Sequence, residues 1–157
     1  MNTDSVRQFR KLAQWHAFAT IQMHEAIARK AGFSGTEHKY LGFLIEKGQM
    51  TAGELATLSG LTTGAITGMI DRFEKKKLVK RMFSEDDRRK VIIVPNTGKV
   101  MALMAPLYKE FRKRSEELYA SLSGKEMEII KDYFEQSIAI MNETTVKLSE
   151  KSTKKSK

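Results

Sequence analysis

Residues 61–79 read Leu61-Thr-Thr-Gly-Ala-Ile-Thr-Gly-Met-Ile-Asp-Arg-Phe-Glu-Lys-Lys-Lys-Leu-Val79. From Thr62 to about Lys76, the apolar residues Ile66, Met69, Ile70 and Phe73 recur at i, i+3, i+4 and i+7, the spacing that turns one stripe of a helix toward a core. The opposite face carries Gly64, Thr67, Gly68, Asp71 and Lys75, with Arg72 at its margin. A glycine inside a helix costs about 1 kcal/mol relative to alanine. Two of them on an outward face therefore need a compensation, such as close approach of the backbone to a groove floor. Thr62, Thr63 and Thr67 add hydroxyls and methyls that can meet phosphates, base edges and thymine methyl groups. An ordinary surface helix with a threonine-rich start would share these features, so the neighbouring segments decide.

Upstream, Gly48 ends a preceding segment, and Thr51 with Glu54 has capping-box spacing ahead of a two-turn helix, Ala52 to Ser59, whose Leu55 and Leu58 are expected to point inward. Gly60 interrupts that helix before the quoted one begins. Downstream, Leu78 to Ser84 and Lys90 to Val94 are rich in β-branched and aromatic residues, and the polar run Glu85 to Arg89 between them reads as a hairpin tip. Pro95 limits the second strand. Short helix, glycine turn, amphipathic helix and two-stranded hairpin form the winged helix-turn-helix order. In it the first helix braces the second, the second enters the major groove, and the hairpin reaches the flanking backbone or minor groove.

Between Arg72 and Lys90 stand nine basic residues (Arg72, Lys75, Lys76, Lys77, Lys80, Arg81, Arg88, Arg89, Lys90) against the acidic Glu74, Glu85, Asp86 and Asp87. The excess lies where phosphates would, although a solvated charge run would give the same count. Residues 61–79, followed by Asp86-Asp-Arg-Arg-Lys-Val91, resemble the recognition helix and wing of the MarR family of transcriptional regulators. The resemblance implies DNA contacts at Thr62, Thr63, Thr67 and Arg72. It also implies an Asp-x-Arg pair in the wing, Asp87 and Arg89, in which the acid orients an arginine that enters the minor groove. Arg88 is a second candidate for that contact, and Asp71 is assigned to a structural ion pair. Gly64, Gly68 and Lys75 complete the expected DNA-facing set.

The flanks are helical. Val6 to Ala31 has no Pro or Gly, with Phe9, Leu12, Ala13, His16, Ala19, Thr20, Met23 and Ile27 at spacings of three and four; Ser34 with Glu37 then caps a second helix running to about Glu46. After the wing, a helix from Thr97 to about Leu122 is expected to kink at Pro106, and Ser123 with Glu126 opens a last helix carrying Ile130, Phe134, Ile138 and Met141. Where the family commonly has Leu-Thr-x-x-Gly after the wing, this chain has Pro95-Asn-Thr-Gly-Lys99, which leaves the start of that helix open. The expected architecture is mainly α with a small two-stranded β wing. Residues 1–33 form an N-terminal dimerisation helix, 34–95 the DNA-binding lobe, 96–148 C-terminal dimerisation helices and 149–157 a basic tail. The apolar stripes at both ends are wider than one lobe covers, and a two-fold dimer suits two half-sites about one DNA turn apart.

Composition narrows the function. The 157 residues carry 28 Lys and Arg against 19 Asp and Glu, a net charge of +9 that favours polyanionic partners. No apolar run reaches the length of a spanning helix and the N-terminal residues lack a signal-peptide core, so a cytoplasmic protein is expected. The lack of cysteine excludes disulfides, thiolate metal sites and cysteine redox sensing by this chain. The three histidines fit no compact metal motif, and His16 reads as a core or interface residue. No cofactor and no catalytic constellation is expected. The family resemblance implies a small aromatic or phenolic effector in a cleft, for which Trp15, His16, Met23, His38 and Tyr40 are the candidate lining residues. Two rivals remain: a helical protein-interaction or anionic-membrane-surface module that binds through its basic tail, and a small enzyme on a similar scaffold.

Overall fold

The same local exchange starts three helices. Ser34 accepts the Glu37 N–H at 3.1 Å while the Glu37 carboxylate accepts the Ser34 N–H at 2.8 Å. Thr51 and Glu54 repeat this, as do Ser123 and Glu126, so each pair satisfies two backbone donors left free at a helix start. The computed structural model describes residues 3–84, 87 and 90–153, with side chains followed to residue 148. Its helices are α1 (Thr3–Ala31), α2 (Gly35–Lys47), α3 (Ala52–Ser59), α4 (Thr63–Lys75), α5 (Thr97–Ala120) and α6 (Gly124–Thr153). Its strands are β1 (Met50–Thr51), β2 (Val79–Phe83) and β3 (Val91–Pro95), in the sheet order β1-β3-β2.

The fold is the mainly α winged helix-turn-helix architecture, with one addition. The wing hairpin, β2 against β3 from Val79↔Pro95 to Phe83↔Val91, gains a third antiparallel strand through Met50↔Ile93 and Thr51↔Ile92. Two residues are too short to show a period, and their partners lie some forty positions away. The open question after Pro95 is settled by Asn96, whose side-chain oxygen accepts the Lys99 N–H at 3.1 Å and whose carbonyl accepts the Val100 N–H at 3.0 Å. Asn96 thus serves as the N-cap. α5 then continues past Pro106 as a single helix to Ala120.

Contacts divide the chain into two units, Met1–Lys109 and Glu110–Lys157. The first holds every buried hydrophobic side chain among the described residues. Phe73, Ile66, Ile70 and Met69 from α4 lie among Leu41 and Leu44 of α2, Leu55 of α3, Val79 and Ile93 of the sheet, and Val100 and Met104 of α5. The handover from α4 to β2 is tight. Lys77 takes a positive φ of 58°, its N–H bonds the Glu74 carbonyl, and the Leu78 N–H reaches back to Phe73, a Schellman turn whose apolar closing residue, Leu78, is buried.

One expectation is corrected in this unit. Leu58 does not point inward but is 47% exposed: the inward stripe of α3 runs Ala52, Leu55, Ala56, Ser59, and Leu58 lies roughly 100° round the helix from its centre. Of the two places expected for His16, core or interface, the core is ruled out, because His16 is exposed. It lies on a length of α1 where Phe9, Leu12, Trp15, Phe18 and Ile21 are exposed too, and only Ile27 and Ala28 of α1 are buried. In the second unit, made of the rest of α5 and α6, no described side chain of α6 is buried, and Ile129, Phe134, Ile138, Ile140 and Met141 are exposed.

Deleting a side chain at the centre of the α4 stripe should be far more damaging than deleting the exposed leucine. Phe73→Ala is expected to lower unfolding stability by about 3–5 kcal/mol, and Leu58→Ala by about 0.5 kcal/mol. Urea denaturation of the two variants compares them directly, and equal losses would contradict the packing described.

Candidate nucleic-acid interface

The helix-turn-helix is α3 and α4 with the turn Gly60–Thr62 between them. Gly60 takes a left-handed φ of 67°, which ends α3 without the steric penalty a Cβ would bring. Thr62 is the N-cap of α4, its hydroxyl accepting the Ala65 N–H at 3.3 Å. Thr63 and Thr67 are exposed one turn apart, and the Thr67 hydroxyl donates to the Thr63 carbonyl at 2.9 Å. That leaves the Thr67 methyl and the oxygen's remaining acceptor capacity facing outward. A Cβ at Gly64 would meet nothing within 4 Å, so the first turn and a half of α4 presents a low, open surface of threonine and glycine.

Gly68 lies beneath a side chain of its own helix. A Cβ there would lie 3.5 Å from the Arg72 guanidinium, which turns back along the helix so that its Nε donates to Glu37 Oε1 at 2.5 Å. At 3.5 Å a methyl group would make only ordinary contact, so the arginine does not by itself require a glycine there. Glu37 is well covered, with 13% of its side chain exposed against 60% for Arg72. Partial burial pushes the Glu37 carboxyl up. The Ser34 N–H, Arg72 and the Ser34 hydroxyl outweigh that effect and hold it below the ordinary carboxylate value.

The basic run is less free than its count suggests. Arg81 on β2 is paired with both Asp71 and Glu74 of α4, so Asp71 takes part in an ion pair and the strand is tied to the helix. Lys76 Nζ donates to the Gly32 carbonyl at 2.7 Å and lies 4.1 Å from the centre of the Phe33 ring. Arg72, Lys76 and Arg81 are thus spent on fastening α4 to the α1–α2 turn, to α2 and to β2. Lys75, Lys77, Lys80 and Lys90 are exposed around them. In the wing, the Asp87 carbonyl accepts the Lys90 N–H at 2.9 Å, turning the chain back toward β3. Arg88 and Arg89 lie outside the described residues, and with them the expected Asp87–Arg89 pair.

The five candidate effector residues do not converge. Trp15 and His16 lie on the exposed length of α1, Met23 packs against the core, and Tyr40 is buried with its hydroxyl donating to the Ser59 carbonyl at 3.3 Å. Of the five, His38 alone lines the hollow of about 490 Å³ between α1 and α2, which is bordered also by Ile21, His24, Glu25, Thr36 and Lys39. His24 and Tyr108 at this place went unassigned in the sequence reading, because residues 24, 38 and 108 meet only through the tertiary fold. Among the described residues no group of three or more histidine or carboxylate side chains could hold a metal ion.

A bracing helix, a recognition helix with a polar outward face and a β hairpin beside it define a winged helix-turn-helix protein. Residues 33–91 match the model of the MarR family. The chain is 34% identical over 137 residues to the uncharacterized HTH-type transcriptional regulator YcgE of Bacillus subtilis, covering 87% of this chain and 79% of that one. It is 28% identical to the HTH-type transcriptional regulator MhqR of the same organism, covering 82% and 88%. Among solved structures, a MarR family protein from Bacillus stearothermophilus superposes with a TM-score of 0.70 at 22% identity, covering 90% of this chain and 99% of that one. A point mutant of S. aureus MepR, solved bound to an oligodeoxyribonucleotide, superposes with a TM-score of 0.58 at 19% identity, covering 85% and 97%. The chain belongs to the MarR family of winged helix-turn-helix regulators.

Glu37→Gln tests the Arg72 tether and the cap together. Because the folded carboxyl is held below its ordinary value of 4.5, its contribution is complete above that pH and is lost as pH falls through the lower folded value. The variant should be about 1 kcal/mol less stable at pH 7, and the gap should close in acid below pH 4.5. A gap that stays constant with pH would show that the charge contributes nothing.

Proposed function

We infer that the protein is a sequence-specific, double-stranded DNA-binding repressor that acts in the cytoplasm as a homodimer on a pseudo-palindromic operator. One observation carries this reading: α4 buries Ile66, Met69, Ile70 and Phe73 and turns Thr62, Thr63, Gly64 and Thr67 outward on an unobstructed face. Laid in a major groove, that face brings backbone and small side chains to the base edges, while the exposed lysines meet phosphates. Arg72, at the rim of this face, reaches DNA by exchanging Glu37 for a phosphate. Gly68 lies beneath its guanidinium, and Lys75 lies one turn further along. The wing residues Asp87, Arg88 and Arg89 address the adjacent minor groove, with Arg89 as the inserting side chain. MepR, bound to an oligodeoxyribonucleotide on the same fold, supports this docking over that of a tail-driven membrane or protein-interaction module. The regulators among the relatives support a non-enzymatic role.

The second subunit is called for by apolar surface. A helix apolar on most of its circumference belongs in a core. The outer length of α1 and the whole described length of α6 present exposed aromatic and aliphatic side chains that a second copy would cover. Two-fold pairing then sets two copies of α4 against successive half-sites. The hollow lined by His38 suits a small aromatic or phenolic effector, binding of which would shift the population toward a form that leaves DNA. No helix among the described residues is long and apolar enough to cross a membrane.

Selection of genomic fragments with purified protein tests the reading. A single preferred inverted repeat should emerge, and its affinity should fall steeply with salt, on the order of 10³-fold between 50 and 200 mM if six or more phosphates are engaged. Arg89→Ala should weaken that complex by about 1–3 kcal/mol without lowering Tm, while deletion of Lys151 to Lys157 should leave most of the affinity. Binding that depends on the tail and does not discriminate sequence would favour the rival module.

A further inference from the structure

Tyr108 of α5 places its hydroxyl oxygen 2.5 Å from Nδ1 of His24 on α1 and 3.0 Å from Nε2 of His38 on α2. The rings lie together, His38 stacked on Tyr108 with centroids 6.1 Å apart and the two imidazoles 5.4 Å apart, and all three residues are half-buried. A phenolic hydroxyl has one hydrogen to give. With both rings neutral it donates to one ring nitrogen and accepts an N–H from the other, so the two histidines hold the same tautomer, both Nε2–H or both Nδ1–H, and the bridge contains no spare proton. A further proton puts a cation beside the second imidazole in this half-buried place, and where it binds the accepting nitrogen that nitrogen becomes a donor and the phenol hydrogen must leave the bridge.

We propose that this histidine–tyrosine–histidine bridge is a proton-binding site at the junction of α1, α2 and α5, and that protonation loosens α2 and thereby weakens the hold of α4 on DNA. The link to α4 is short. His38 follows Glu37, the carboxylate that both caps α2 and holds Arg72 of α4. Burial, and secondarily repulsion from His24, lowers the pKa of His38 from its ordinary 6.5. The charged groups lining the same hollow are Glu25 on α1, which lies near Arg29 at 4.0 Å and against Gly35, and Lys39 on α2, directed over the Tyr40 and Phe43 rings. Lys39 opposes and Glu25 favours a proton there. Because folding disfavours charged His38, the folded chain carries fewer protons than the unfolded one. The stabilisation is complete above pH 6.5 and is lost as pH falls through the lower folded value.

The consequence for DNA rests on the function proposed above, so the test has one arm without DNA. His24→Asn with His38→Gln keeps a hydrogen-bonding nitrogen or oxygen near each contact point but cannot titrate. In thermal melts, lowering the pH from 7.5 to 5.5 should reduce the Tm of the native protein by about 2–4 °C more than that of the double variant. In titrations of a selected operator duplex, native affinity should fall by about fivefold or more over the same interval, and that of the double variant by less than about twofold. Each ratio is taken within one protein, so a changed affinity at pH 7.5 does not enter. The direction is discriminating, because added positive charge alone would strengthen DNA binding at low pH. Should the double variant fold poorly, NMR titration of the native histidines replaces it, with His38 expected to titrate below 6.5. Equal pH responses in both proteins, or His38 titrating at or above 6.5, would overturn the proposal. Failure to bind any duplex at pH 7.5 would count against the proposed function, and the melts would then decide this inference.

Discussion

The structure depends on the burial of one face of α4. Ile66, Met69, Ile70 and Phe73 are almost wholly removed from water, each contributing roughly 1.5–3 kcal/mol of transfer free energy. That exceeds the roughly 1 kcal/mol that each of Gly64 and Gly68 costs the helix. A helix with this sequence would be poor in isolation and is held by its packing. Once the apolar face is committed, rotation about the helix axis is fixed, and the threonine and glycine face is left outward.

Cationic side chains then fix where that face sits. Arg72 to Glu37, Lys76 to the Gly32 carbonyl and Arg81 to Asp71 and Glu74 connect α4 to three neighbouring segments. These are largely exposed interactions, individually modest in energy, and their value lies in geometry. They also divide the positive charge of residues 72–90 into a fastening set and a set left at the surface. The net charge alone overstates what is available to phosphates.

What could be read from the chain before the structure was what is local. Capping boxes at Ser34, Thr51 and Ser123, the stripe of α4 and the hairpin that follows depend on spacings of three or four residues or on strand composition. Leu58 was misjudged because an eight-residue helix shows too few positions to locate its stripe. β1 was missed because its two residues gain meaning only beside Ile92 and Ile93. The tether of Arg72 spans 35 positions and the Tyr108 bridges span 84 and 70, beyond any periodicity. Gly68 shows the same limit in reverse: the glycine stands out in the sequence, but the passage of Arg72 above it is visible only in three dimensions.

The most direct measurement of the central claim is amide hydrogen exchange of the protein with and without a selected operator duplex. Added protection is expected at the amides of residues 62–68 and in the wing. The buried side of α4 should change little, because its packing is already complete. Protection confined to the C-terminal tail, or to the outer length of α1, with residues 62–68 unaffected, would mean that this face of α4 is not the surface that meets DNA.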